Sequence, residues 1–241
     1  MILIPGLLIG LWDILKSKKI NFFKLIYLLP ILVTIFFTHS YGAWFAIIFS
    51  TLLLLFFTHK RLILFFLILI FTLILAEYPS EKFQHLSNFQ IKSSTTSRIV
   101  IWQSAKKIIA DHWFWGIGAG NFQEKYLAYQ PYFKPYPEWA VPQPHNLFLA
   151  FWLQTGLLGL GGFLYLLISW GTKIIKILIF SKDFYQKRFS LLIFVLFFSH
   201  LIYGLIDTPY WKNDLSLIFW TIIYLGLQLE FLSRPLDDNS K

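Results

Sequence analysis

Apolar residues run along this chain in long blocks. Six blocks, residues 22–38, 43–57, 62–76, 146–170, 190–206 and 215–232, carry almost no charge. A helix needs about 20 apolar residues to cross roughly 30 Å of hydrocarbon, so each block predicts a membrane-spanning helix. The third is short, and Lys60 and Arg61 are placed to snorkel at its end. Residues 1–12 are apolar too, but they are too few to span. No basic stretch precedes them and no small-residue cleavage site follows, so they read as one end of a span and not as a cleavable leader. Polar turns at residues 39–42 and 58–61, a basic stretch at 173–188 and a short loop at 207–214 separate the blocks. One insert differs in kind: residues 77–145 are polar and far longer than a connection needs. The pattern predicts an all-α fold. It is a polytopic membrane helical bundle, a single domain over residues 1–241, with one large extracytoplasmic loop (77–145) carrying an amphipathic helix.

That helix is expected over residues 99–115. Ile99, Trp102, Ile109 and Trp113 recur at helical spacing, with Lys106 and Lys107 off the stripe. Trp and Lys in this arrangement suit the headgroup layer. Glycines at 116, 118 and 120 then break the helix. No strand precedes them and no Lys-Ser/Thr pair follows, so this is a turn that folds the loop back and not a phosphate-binding glycine loop. Prolines at 131, 135, 137, 142 and 144 keep the next stretch irregular. Its aromatic residues have faces that stack on sugar rings, although the bilayer interface recruits the same side chains.

Composition agrees with a membrane location. The chain is 57% hydrophobic and only 14% charged, against about 25% charged in soluble proteins. A net charge of +9 raises the question of nucleic acid. The basic residues cluster at the ends of apolar blocks, where they set topology, and nucleic acid is rejected as a partner. Most of the 21 lysines and arginines lie in residues 16–24, 58–61, 173–188 and the tail. The positive-inside rule makes that side cytoplasmic. The long insert and the 207–214 loop then share the outer face of the cytoplasmic membrane, where nucleotide donors are absent. Cysteine is absent, which excludes disulfides and thiolate chemistry.

Three side chains on the outer side carry candidate chemistry. His145 opens the fourth span directly after a proline pair. Histidine, with an ordinary pKa of about 6.5, can take a proton from a hydroxyl; equally, it is a common interfacial residue, and Asn146 reads as a helix cap. Arg98 begins the loop helix, and a guanidinium fork there suits phosphate or pyrophosphate, or simply a lipid headgroup. Asp207 ends the fifth span. A carboxylate at that depth needs a partner: it can orient His145, pair with an arginine or close an Asx-turn before Pro209. No His, Asp and Glu set has metal-ligand spacing, so the site is expected to need no metal and no cofactor.

The ordered set of motifs resembles the O-antigen ligase and polymerase superfamily. Its parts are Ser97-Arg98 with Trp102, Trp115-Gly116-Ile117-Gly118-Ala119-Gly120-Asn121-Phe122, His145-Asn146-Leu147-Phe148-Leu149 and Gly156-Leu157-Leu158-Gly159. Ser40-Tyr41-Gly42 is similar to a family element that normally reads Ser-Arg-Gly, so Tyr41 stands where the family places an arginine. Asp207 falls where the family often has an acidic residue. The resemblance covers about residues 20–230, the C-terminal part of such proteins. It implies a GT-C-like, metal-independent, inverting glycosyltransferase of polysaccharide biosynthesis in the cell envelope. The donor would be a glycan on a polyprenyl (undecaprenyl) pyrophosphate, and the acceptor a hydroxyl of a glycan, a lipid (as in lipopolysaccharide) or a protein. On that reading His145 is the general base and Arg98 holds the donor pyrophosphate. Tyr41, Asn146, Asp207 and Lys212 contribute to substrate binding; with Tyr41 in place of the arginine, either another cation such as Lys212 serves the pyrophosphate or donor binding is altered.

The rival reading is a non-catalytic or truncated polytopic protein, such as a piece of a transporter or a degenerate homologue. A transporter carries ionisable residues deep within its spans. Here His200 is the main exception in spans that otherwise hold almost none, which favours the enzyme.

Overall fold

The computed structural model describes residues 1–17, 22–78, 94–133 and 139–233. Among these, every regular element is helical: α1 (Leu3–Lys16), α2 (Phe22–Phe37), α3 (Tyr41–Thr58), α4 (Leu62–Glu77), α5 (Ser94–Asp111), α6 (Phe122–Tyr129), α7 (Leu147–Phe180), α8 (Phe184–Gly204) and α9 (Asn213–Ser233), with 3₁₀ turns at Gln130–Tyr132 and Pro209–Trp211. Four helical stretches, Tyr41–Thr58, Leu147–Phe180, Phe184–Gly204 and Asp214–Ser233, are long and apolar enough to cross a membrane. The other two expected spans, α2 and α4, have 16 residues each and rise only about 24 Å. Along α4, Leu64, Phe65 and Phe71 are well exposed, as lipid-facing side chains are. The protein is a helical membrane protein.

The chain divides into two compact units. The first comprises Met1–Lys60, Tyr165–Tyr203 and Tyr210–Lys241. In it α1 turns Ile4, Leu7 and Leu8 fully inward, the i, i+3, i+4 face of a packed helix. Ser40 caps α3 by accepting the Ala43 N–H. From Ser190 on, α8 is buried on nearly all sides, with Ile193, Val195, Phe197 and Ser199 among its enclosed residues. Trp170 packs against Phe197 and donates its indole N–H to the Ile223 carbonyl at 2.9 Å. It reaches that carbonyl only because residue 226 has no side chain: a methyl group there would overlap the indole ring. Gly226→Val is expected to displace Trp170 and destabilise this unit by about 2–3 kcal/mol, read as a lowered melting temperature of the purified protein.

Two features of this unit differ from the sequence reading. The fourth span was expected to end near Trp170, with residues 173–188 as a basic loop. Instead α7 runs on to Phe180 and α8 begins at Phe184. Lys173 and Lys176 lie on the helix because an apolar run, Ile174 to Phe180, continues through them. Lys173 pairs with Glu230 at 3.0 Å.

The second unit comprises Arg61–Leu164 and Gly204–Pro209. Its core joins Ile101, Ala105, Ile108 and Ile109 of α5 to Phe122 and Tyr126 of α6, Val141 of the loop and Leu153 of α7. The loop helix is therefore packed into protein, and its inward face overlaps the expected stripe only in part, at Ile109. Ile101, Ala105 and Ile108 are enclosed, whereas Trp102 is half-buried and Trp113 lies exposed beyond the helix end. The Tyr129 hydroxyl donates to the Asp111 carboxylate at 2.9 Å, tying α6 to α5. That bond holds the phenolic proton and raises the tyrosine's pKa above its ordinary value.

The least expected feature lies inside α7, where Gly156 is non-helical (φ 68°, ψ −170°). In an unbroken helix the Leu157 N–H would bond the Leu153 carbonyl. Here both groups turn to the segment after α5. The Ile117 N–H donates to the Leu153 carbonyl at 2.6 Å, and the Leu157 N–H donates to the Phe114 carbonyl at 3.0 Å. Trp152 adds an indole N–H to the Trp113 carbonyl at 2.8 Å. The loop backbone is spliced into the helix ladder, and the freed Leu153 carbonyl and Leu157 N–H both find partners there.

Candidate active site

The proline-rich loop that ends at His145 is tied to its own unit at several points. Gln123 donates to the Trp139 carbonyl and Gln154 to the Gln143 side chain. The Trp102 indole N–H donates to the Pro144 carbonyl at 3.0 Å. These bonds fix the chain entering position 145. Asn146 fixes the chain leaving it. Its side-chain oxygen accepts the Phe148 and Leu149 N–H groups at 3.0 Å each, capping α7. Its amide donates to the Leu205 carbonyl at 2.9 Å. Asn146 thus joins the start of α7 to the segment that carries Asp207.

Between these anchors His145 takes a left-handed backbone, φ 48°. A side chain there costs about 1 kcal/mol or more. The flanking bonds hold it, and the resulting geometry places His145 Nδ1 at 3.2 Å from Asp207 Oδ1. Asp207 also accepts the Thr208 N–H at 2.8 Å. An ionised carboxylate only accepts, so the proton of a neutral His145 ring lies on Nδ1, and Nε2 carries the lone pair. The Asp207 side chain is 12% exposed and that of His145 is 37% exposed. The carboxylate is enclosed behind the ring, and Nε2 has no partner among the described residues. A ring oriented by a carboxylate with its basic nitrogen open is the arrangement of a general base.

Arg98 lies on α5 of the same unit, half-buried. Among the described residues it makes no hydrogen bond or ion pair. Trp102 follows one turn later on the same face, about 6 Å along the axis. Because Trp102 bonds Pro144, the residue before His145, the helix face bearing Arg98 meets the loop bearing the histidine. Thr96 and Ser97 beside Arg98 are buried.

Of the residues singled out in the sequence, His145, Asn146, Asp207 and Arg98 belong to the second unit. Tyr41 and Lys212 belong to the first. Tyr41 opens α3, and its hydroxyl is buried. Lys212 follows the 3₁₀ turn Pro209–Trp211, where its carbonyl accepts the Leu215 and Ser216 N–H groups. Among the described residues no three His, Asp or Glu side chains gather as metal ligands do. Sequence reasoning did not find Trp102 as the link between Arg98 and His145, nor the joining of Gly116 to Gly156. Its signal for the second was there: each glycine sits inside a motif of the ordered set.

A family model described as O-antigen ligase matches residues 26–164, more than half of the chain. The matched stretch contains Arg98, the Gly116–Gly156 splice, His145 and Asn146. No curated protein matches the chain. The match and the membrane helices make the protein a membrane enzyme of the glycan ligase and polymerase type, and the chain belongs to the O-antigen ligase family.

Proposed function

We propose that this protein transfers a glycan from a polyprenyl-pyrophosphate carrier to a hydroxyl acceptor at the outer face of the cytoplasmic membrane. The observation that carries the proposal is the hydrogen bond from His145 Nδ1 to Asp207, which leaves Nε2 open as a base. The acceptor hydroxyl gives its proton to Nε2 while its oxygen attacks the anomeric carbon. The bond from that carbon to the pyrophosphate oxygen breaks, and the carrier leaves with the bonding electrons. Asp207 stabilises the imidazolium that forms. Arg98 meets the negative charge growing on the leaving pyrophosphate with a planar pair of donors. One displacement at one carbon inverts the anomeric configuration. The sugar–pyrophosphate bond supplies the driving force, so the reaction needs no nucleotide donor. Tyr41 and Lys212 lie in the first unit, and the step as written uses groups of the second alone. The basic residues at 16–24, 58–61 and 173–188 support an outward placement of residues 77–145.

The test is surface glycan in a host lacking its own O-antigen ligase or polymerase, with membrane levels of each variant checked. Wild type should restore glycan, and a ladder of lengths or a single capped species would separate polymerase from ligase. Arg98→Ala should lower transfer by about 10²–10³-fold, the effect of losing one preorganised charge stabiliser. Arg98→Lys should recover only part, because it keeps the charge and loses the fork. Unimpaired transfer by Arg98→Ala would overturn the leaving-group role. A product of retained anomeric configuration would overturn the single displacement.

A further inference from the structure

We propose that the first unit holds a binding site for the phosphate headgroup of an anionic membrane phospholipid, separate from the transfer chemistry. A cleft of about 770 Å³ opens where the ends of α1, α3 and α7 meet the start of α8. Leu15, Phe57 and Leu178 contribute apolar wall, and Lys16, Lys187 and Arg188 bring three cations to it. No carboxylate lines it among the described residues. Ser17, Thr58 and His59 add hydrogen-bonding groups at the same end.

The pairing of charges in this unit leaves the cations of the cleft unneutralised. Lys24 pairs with Asp13 at 2.7 Å and Lys173 with Glu230 at 3.0 Å. Lys16, Lys187 and Arg188 have no acidic partner among the described residues. Two of them are instead held over aromatic rings: Lys16 Nζ lies 5.0 Å from the Trp12 ring centre, and the Arg188 guanidinium 4.7 Å from that of Phe184. A ring face holds a cation in place without neutralising it.

Helix dipoles account for Lys16, which lies in the last turn of α1, where cations are favoured. They do not account for Lys187 and Arg188. These sit near the start of α8, where the dipole is itself positive and cations are disfavoured. The nearby Asp183 carboxylate is occupied in capping that helix, accepting the Tyr185 N–H at 2.8 Å. A positive helix end reinforced by two cations, facing a third across an apolar-walled cleft at the ends of spanning helices, matches a lipid with an anionic head and an apolar body.

The test uses the purified full-length protein in detergent, titrated separately with phosphatidylglycerol and phosphatidylcholine, with bound lipid read by native mass spectrometry. Phosphatidylglycerol should bind in preference. Lys16→Gln/Lys187→Gln/Arg188→Gln should weaken its binding by about a hundredfold, the compounded effect of three cations near an anionic headgroup. A control pair, Lys106→Gln/Lys107→Gln, removes exposed charge from the other unit and should leave binding unchanged. Lys16→Arg/Lys187→Arg should also bind, and lipid-free melting temperatures would show that the triple variant is folded. Equal binding of the two lipids, or equal loss in the control pair, would overturn the site. Displacement of phosphatidylglycerol by an equal concentration of inorganic phosphate would overturn a lipid as its ligand.

Discussion

His145→Ala should reduce glycan transfer by about 10³-fold or more, the upper part of the range for removing a positioned general base, with membrane levels unchanged. The companion Asp207→Asn is the more discriminating variant. Asp207 now accepts a hydrogen bond from the Nδ1–H of His145. An asparagine can offer an N–H to the same nitrogen, which moves the ring proton to Nε2 and removes the lone pair from the side where the acceptor binds. Asp207→Asn should therefore lose activity within about tenfold of His145→Ala, although it preserves size and neutralises only an enclosed carboxylate. Asp207→Glu keeps an acceptor and should retain part of the rate. The double variant His145→Ala/Asp207→Asn should be no worse than His145→Ala alone, because the two groups act as a unit. Rates would be measured with lipid-linked donor and a fixed acceptor. If Asp207→Asn were fully active while His145→Ala was dead, the orienting role would fail and the histidine would need another partner.

How much of this was legible in the sequence depends on the range of the forces involved. The apolar blocks announced the helices, because hydrocarbon demands an internally bonded backbone over a fixed length. Residues 173–188 misled because charge was read as an end of structure. Lysine's long stem lets it ride on a helix while its ammonium reaches a partner, as Lys173 reaches Glu230. The loop helix was found, but its face only in part. Ile99 and Trp102 look as apolar as Ile101 and Ile108, and the side that turns inward was decided by Phe122, Tyr126 and Leu153, which come later in the chain. His145, Arg98, Asn146 and Asp207 stood out by residue type and motif. The pairing of His145 with Asp207 spans 62 positions, and spacing alone left Asp207 three possible partners. The left-handed backbone at His145 carries no sequence mark at all, since it is enforced by bonds made at Pro144 and Asn146.

Gly156→Ala is expected to be the most damaging substitution outside the catalytic dyad, and to act on structure first. Gly156 has φ 68°, where a side chain is strained, and a methyl group there would overlap the Phe114 carbonyl. Its counterpart Gly116, at φ 71°, would place a methyl group 2.5 Å from the Leu153 carbonyl. Neither clash falls on a side chain that can move aside, because both are with backbone. Relief requires the two segments to separate. That would break the Ile117–Leu153 and Leu157–Phe114 bonds and strand four polar groups in an apolar setting. Strain plus those losses comes to about 3–5 kcal/mol. Asn146, next to His145, caps α7, so loosening the splice frees the start of the helix that fixes the histidine. Gly156→Ala should thus show a lowered melting temperature and faster amide exchange at residues 114–117 and 153–157, together with lost transfer. Gly116→Ala should reproduce this pattern. The double variant should cost less than the sum of the two, since a splice opened by one methyl group cannot be opened again by the other. An additive double variant would mean that the two glycines act separately, and that the break in α7 does not depend on the loop.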